Sequence, residues 1–502
     1  MLLLALLILR RNKRACKCYY GYMHRVDTKD RQKTVLRIIA YAITFIMTII
    51  TTALLIYLAQ GYRLGSGGKV VRDGLLLVDN RPESASVYIN DKLEDSTAPS
   101  RFVLPAGDYK LGLKLKGYRD WSKTVRVDAS KVREVGYPLL IPDKLNSEHT
   151  LSIKTPEMIS QSGDRKKILT YSQDSGEFQL IELNVKNSKA KQLSLGANVV
   201  KEDGKLGSFR VIEWALNNKN ILLEQTLPSG KVQILSLDVE NPTEVINITA
   251  IFGEQSPLDV HFVGDNTNQI YGIKDGTLAR YDIKAQSLTL VMQNIISYQP
   301  YSDDTILFVR NVDDKREIGI YKDHNAYVIE SSDHLEVPVN LSYHEYDQHR
   351  YFVIANSDDS GVVIYKDPLK KPILKKQLPL VKLKFSNIGK IETSGSGQFI
   401  MLQNSNQVSV YDLRDLFNYQ NTLPFEILGG SRLGWIDDHR IQAVSTDNSS
   451  YIFEYDSANL QLLSVVMPGS KAYFSRDYKT YYSFTQKDND TTFNMTSLIV
   501  ED

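Results

Sequence analysis

The chain has 502 residues, a formal net charge of +1, and a composition that is 42% hydrophobic, 24% charged and 10% aromatic. That apolar content can bury a core, which excludes wholesale disorder. The near-zero charge argues against a dedicated nucleic-acid binder, whose domain would carry a basic stripe. Both cysteines, Cys16 and Cys18, stand close to the N-terminus. No disulfide framework is therefore available to anything after them.

Residues 1–9 are apolar but too short to span a bilayer, and the basic run follows them, the reverse of a secretory signal. Residues 38–59 contain no charge. A bilayer core needs roughly 20 apolar residues in a helix, so a transmembrane helix is predicted there. The hydroxyls of Thr44, Thr48, Thr51 and Thr52 are expected to bond back to helical carbonyls. Arg10, Arg11, Lys13, Arg14, Lys17, Arg25, Lys29, Arg31, Lys33 and Arg37 precede the run; only Arg63, Lys69 and Arg72 follow closely. The positive-inside rule then predicts an uncleaved signal anchor: residues 1–37 form a basic cytoplasmic segment, and everything beyond the helix lies outside the cytoplasm. Residues 60–74, rich in Gly and Ser, read as a flexible linker. The Gly65-Ser-Gly-Gly-Lys69 fragment lacks the glycine and the Ser/Thr of a phosphate-binding loop, since Arg63 and Val70 occupy those positions.

Residues 75–145 read as a compact β module of about six short strands. The chain turns at Asp79–Glu83, alternates through Ala85–Ile89, turns again at Asn90-Asp91, and resumes at Phe102–Leu104, Tyr109–Leu115 and Trp121–Val127. The elements Arg81-Pro82-Glu83-Ser84-Ala85, Thr97-Ala-Pro99, Leu104-Pro-Ala-Gly-Asp-Tyr109 and Gly117-Tyr118 resemble the PEGA domain of prokaryotic surface proteins. Ser84 stands where that family's Pro-Glu-Gly-Ala turn has glycine, and serine tolerates positive φ poorly. The resemblance implies a surface-protein accessory domain and brings no catalytic residue with it.

Residues 146–502 repeat. Strand ends closing on Tyr-Asp or a close variant recur at Leu237-Asp238, Tyr281-Asp282, Tyr321, Tyr365, Tyr411-Asp412 and Tyr455-Asp456, with weaker members at residues 181–183 and 498–500. Upstream of each, a polar turn feeds an apolar strand, as at Gly163, Asn217, Ser302, Gly397 and Asp437. A repeat every 40 to 46 residues predicts a seven- or eight-bladed β-propeller. It is similar to TolB-like and WD40-like propellers, without the Gly-His and Trp-Asp dipeptides of the latter. The fold class expected is all-β: a small PEGA-like β-sandwich followed by the propeller, with one transmembrane helix in front.

No catalytic, cofactor-binding or metal-ligating residue is assigned. Thr393–Gly397 and Gly429–Arg432 both miss the spacing of a nucleophile elbow. Among His24, His149, His261, His324, His334, His344, His349 and His439, only His344 and His349 stand close together, at a spacing unlike a one-face zinc motif. Asn356, Asp358, Ser360 and Asp367 match calcium-loop spacing, but strands flank them, so a hairpin tip is expected. The Tyr-Asp pairs are expected to pack between blades and cap turns. Asn247, Asn340, Asn448, Asn489 and Asn494 form glycosylation sequons that matter only in a host that uses them. The expected function is a membrane-anchored, non-enzymatic surface protein that binds or scaffolds a surface protein or cell-wall glycan, with no nucleic-acid partner. The alternative is an extracytoplasmic glycan-active enzyme with its site in the propeller channel. Its acidic candidates are the paired carboxylates Asp303/Asp304, Asp358/Asp359 and Asp437/Asp438, all in turns.

Overall fold

The computed structural model describes residues 28–59, 62–64, 70–183, 188–333, 337–357, 361–370, 377–427, 433–487 and 490–499. Helix α1 runs Thr28–Ala59, starting earlier than the uncharged run and taking in Lys29, Arg31 and Lys33. Its segment Lys33–Tyr57 is long and apolar enough to cross a membrane and is not buried against protein. Val35, Ile39, Phe45, Ile49 and Leu54 are all exposed, so the helix is apolar on every side. Thr44 and Thr48 donate to the carbonyls of Ala40 at 2.9 Å and Thr44 at 2.8 Å. This back-bonding removes the cost of their hydroxyls in an apolar medium.

Contacts divide the chain into two compact units, one of residues 1–77, 101–108 and 126–134, the other of residues 78–100, 109–125 and 135–502. Strands β1 (Tyr62–Leu64), β2 (Val70–Val78), β3 (Ser86–Ile89), β4 (Lys92–Thr97), β5 (Ser100–Pro105), β6 (Gly107–Lys114), β7 (Trp121–Val127) and β8 (Val132–Val135) come first. They form two four-stranded sheets, one in the order β1-β2-β5 with β8 also on β2, the other β4-β3-β6-β7. The expected linker over 60–74 is thus partly strand: Tyr62–Leu64 pairs antiparallel with Val70–Arg72. Backbone ladder bonds, available to any sequence, outweigh its Gly-rich composition there. Asn90 and Asp91 take φ of 51° and 63°, the two left-handed residues of a type I′ hairpin. Ser84 takes φ 75°, the left-handed conformation that suits glycine, and its amide donates to Ala98 O at 2.9 Å.

Strand β9 (Ser147–Ile153) opens the propeller region. Eight four-stranded antiparallel sheets follow among the described residues, spanning 158–193, 208–247, 258–292, 295–332, 339–383, 390–422, 434–465 and 473–497; they are blades 1 to 8. The eighth has only three strands of its own, and β9 completes it by pairing with its last strand from Thr491↔Ile153 to Thr496↔Ser147. The two ends of the region therefore meet in one sheet. The first strands of neighbouring blades touch each other in several successive pairs, so they line the axis.

The second strand of each blade explains the unbroken apolar runs in the sequence. Its successive side chains point to opposite faces. Ile221 packs with Leu180 of blade 1, and the next residue, Leu222, packs with Ile270 of blade 3. The same division places Tyr271 with Phe308, Leu307 with Phe352, Val353 with Ile400, Met401 with Phe453, and Ile452 with Tyr481. The last seam joins Tyr482 and Phe493 of blade 8 to Ile168 of blade 1, which closes the ring.

Phe493→Ala empties the closing seam next to β9. We expect it to lower stability by about 3–5 kcal/mol, read as a fall in the urea midpoint with an unchanged slope.

Candidate functional site

The first turn of each blade joins the axial strand to the second strand. Ser162, Ser302 and Ser475 repeat one device: each hydroxyl donates to the carboxylate two residues on, to Asp164 at 2.6 Å, Asp304 at 2.8 Å and Asp477 at 2.8 Å. These are side-chain turns that pin the hairpin. The hydroxyls of Ser302 and Thr305 hold the Asp304 carboxyl below its usual range. Asp437 accepts the amides of His439 and Arg440, both at 2.9 Å, and the Arg440 guanidinium. Asp438 accepts the amide of Ser396 in blade 6. The turns also pack closely on one another: a Cβ at Gly264 of blade 3 would collide with the Asp303 carboxylate of blade 4, and the glycine sits at φ +54°. Asp304 and Asp437 therefore hold their own turns in blades 4 and 7, whereas Asp438 reaches blade 6 and the Asp303 carboxylate stands against Gly264 of blade 3. Asp358 and Asp359 lie outside the described residues.

The first turns of blades 1, 2 and 8 surround a cleft of about 510 Å³ lined by Arg165, Trp214, Leu216, Asn218, Arg476 and Tyr478 among others. Arg165 reaches from blade 1 to donate one nitrogen to Ile436 O of blade 7, and its guanidinium lies 5.2 Å over the Tyr478 ring. Its other terminal nitrogen, Nη1, is buried without a partner. A second cavity, of about 420 Å³, is lined by the first strands of blades 4, 5 and 6, including Ser297, Asn340, Lys390 and Glu392. Lys390 bonds Leu433 O at 2.7 Å and pairs with Glu392 at 2.7 Å. Lys471, just before the first strand of blade 8, has its pKa depressed by burial, with Lys390 and Arg165 adding to the effect and Glu392 opposing it.

A different polar cluster fixes β7 against blade 7. Alternation puts Trp121 and Lys123 on one face of β7. Lys123 Nζ lies 2.9 Å from both Glu454 and Asp456, with side-chain exposures of only 8%, 5% and 16%. It also sits 4.0 Å over the Tyr455 ring and 5.2 Å over that of Tyr137. Glu454 further accepts the Trp121 indole N–H and the Asn459 amide, the latter at 3.1 Å. Burial by itself would discharge Lys123, but the Glu454 carboxylate, the two tyrosines and Asp456 reverse this and hold its pKa above the usual lysine value. Tyr137 stacks on His439 at 4.3 Å, and its carbonyl accepts Arg440 at 2.8 Å. Sequence reasoning missed this cluster. The available signal was a Trp-x-Lys on one strand face and a Glu-x-Asp where a strand runs into its turn, with nothing in the chain to pair them.

The sequence candidates separate as follows. Asp238, Asp282, Asp412 and Asp456 each accept backbone amides in the turn after the third strand, and Tyr281, Tyr365, Tyr411 and Tyr455 are buried in interblade seams, as expected of the Tyr-Asp pairs. His344 is buried on the first strand of blade 5 with both ring nitrogens unpartnered. His349, across the turn, holds Asp367 at 2.6 Å. The two histidines thus have separate surroundings. Asp367, the last residue of the calcium-loop pattern, is bound to His349 and the Arg350 amide; Asn356 and Gly361 are described, whereas Asp358 and Ser360 are not. Ser394 of the 393–397 stretch caps the first turn of blade 6 by accepting the Phe399 amide at 3.2 Å. Among the described residues no group of three or more His, Cys, Asp and Glu gathers to hold a metal ion. Cys16, Cys18, His24, His334, Asn489 and residues 429–432 lie outside the described residues.

The geometry defines an eight-bladed β-propeller preceded by a β module and an apolar helix. Residues 74–140 match the PEGA domain, the family whose resemblance the turn residues carried. No curated protein matches the chain. Among solved structures the chain is similar to the C-terminal WD40 domain of Sif2, at 9% identity and a TM-score of 0.45, covering 71% of this chain and 99% of that one. It is similar to an oligogalacturonate lyase from Vibrio parahaemolyticus, at 10% identity and a TM-score of 0.38, covering 70% and 97%. It is also similar to Kluyveromyces lactis Hsv2, at 8% identity and a TM-score of 0.39, covering 62% and 98%.

Lys123→Met should destabilise the protein by about 3–5 kcal/mol, because it strands the buried Glu454 carboxylate. Adding Glu454→Gln should recover part of that loss, and a double-mutant cycle in urea measures the recovery. Burial lowers the pKa of both His344 and His439 to about 4. Their folded values lie below the unfolded value of about 6.5, so the unfolded chain binds more protons between these limits. Stability is complete above about pH 6.5 and falls toward pH 4, by up to about 3 kcal/mol for His344. His344→Phe, which keeps the stack on Tyr351, should flatten that fall while leaving the pH 7 urea midpoint unchanged or higher.

Proposed function

We propose that this chain is a membrane-anchored cell-surface protein that presents its propeller as a rigid, non-catalytic platform for a surface protein or cell-wall glycan. The segment Lys33–Tyr57 is the anchor, the N-terminus is cytoplasmic, and the β domains lie outside. The observation that carries this reading is the closed ring of blades. Its first turns gather on one end, where Asp164, Asp304, Asp437 and Asp477 are engaged in holding those turns, while arginine donors stand at the cleft. Such a face suits recognition by shape and charge. The anchor reading is supported by a helix that is apolar on every side, which water would not tolerate. The PEGA match supports a surface accessory domain, and the Lys123 cluster supports its strand β7 being held to blade 7.

Protease added to intact cells should remove the β domains while a tag on residues 1–37 survives. Protection in intact cells together with cleavage in inverted vesicles would reverse the orientation and end the surface role.

A further inference from the structure

The cleft formed by the first turns of blades 1, 2 and 8 has a charge imbalance that the fold itself does not use. Arg476 is exposed and its side chain forms no hydrogen bond or ion pair among the described residues. Arg165 keeps Nη1 buried and unpartnered, and its orientation is fixed by Ile436 O and the Tyr478 ring. The acid in the lining, Asp164, already accepts Ser162 Oγ at 2.6 Å and the Lys166 amide at 3.2 Å. Asp477, next to Arg476, accepts Ser475 Oγ at 2.8 Å and the Lys479 amide at 3.2 Å. In the lining two arginines therefore face one acid, Asp164, and both it and the neighbouring Asp477 are satisfied locally. A buried guanidinium nitrogen without a partner is costly, and an anion oxygen from a ligand would satisfy it.

Trp214 and Leu216 supply apolar surface to the same cleft. Trp214 is only partly buried and is tethered by its indole N–H to Ser160 Oγ at 2.9 Å. Leu216 stands 72% exposed at the rim, an uncommon place for a large aliphatic side chain in a turn. The volume of about 510 Å³ far exceeds a bare phosphate or acetate and is in the range of ligand-binding clefts.

We propose that this cleft binds an acidic carbohydrate: a glycan segment whose carboxylate or phosphate is taken by Arg165 and Arg476 while its sugar face lies on Trp214 and Leu216. The proposal rests on the binding-platform reading and gives that platform its ligand class. Bidentate guanidinium contacts recognise both anions, and arginine is suited to both for the same geometric reason.

The test uses the full chain in detergent, so membrane orientation does not enter and its failure is separate from that of the topology experiment. A uronic-acid tetrasaccharide, a glycerol-phosphate tetramer and neutral maltotetraose are titrated against native protein, Arg476→Gln and Arg165→Gln. Expected is salt-sensitive binding of at least one acidic tetramer, no measurable maltotetraose binding, and about a tenfold loss of affinity in Arg476→Gln with an unchanged melting temperature. Preference between the two acidic probes identifies which anion is native. If neither acidic probe binds, if maltotetraose binds as well as they do, or if Arg476→Gln and Arg165→Gln both bind like native protein, the proposal is overturned.

Discussion

A four-stranded sheet with apolar side chains on both faces cannot bury either face alone, so each blade needs a neighbour on each side. The second strands make this constraint explicit: Ile221 and Leu222, or Ile400 and Met401, are adjacent in sequence yet belong to different seams. An open row of such sheets would leave two greasy faces in water, whereas a ring covers both and leaves only short blade edges. Closure is therefore the condition on which every other seam depends. It is achieved covalently cheaply, by drawing β9 from the start of the region into the sheet made at its end.

Once the ring is closed, the polar parts of the repeat have a definite place. The turns at Asp164, Asp304, Asp437 and Asp477 form one set at one end of the axial strands. Their serines and carboxylates satisfy the backbone of the turn, which frees the rest of the surface to vary. Variation appears where Arg165, Leu216 and Arg476 stand in the turns, beside Trp214 at the end of its strand. Blade 7 varies in another way. Its Glu454 and Asp456 face Lys123 rather than water, so a buried ion pair with aromatic walls replaces an exposed blade edge. Pairs of this kind add little net stability over an apolar contact but strongly penalise any arrangement that separates them.

Several features were legible because they depend on local chemistry. The repeat spacing, the third-strand Tyr-Asp signature and the Asn90-Asp91 hairpin each follow from alternation and turn preference, and each is found where the sequence places it. Ser84 adopts the glycine conformation in spite of its side chain, because Ala98 O and the neighbouring strands fix that turn. The stretch 60–74 misleads as a linker, since its glycines say nothing about whether a ladder partner is present nearby.

By itself the sequence determined the class of each part: an uncharged helix of membrane length, a PEGA-type β module, and a β repeat of propeller period. These are consequences of hydrophobic period and of residues that favour particular turns, both local properties. Only the tertiary structure decided the number of blades, the partner of β9, and the company of Lys123 and Arg165. Those depend on which distant segments meet when the ring closes, and contacts across more than 300 residues, such as Lys123 with Glu454, leave no periodic trace in the chain.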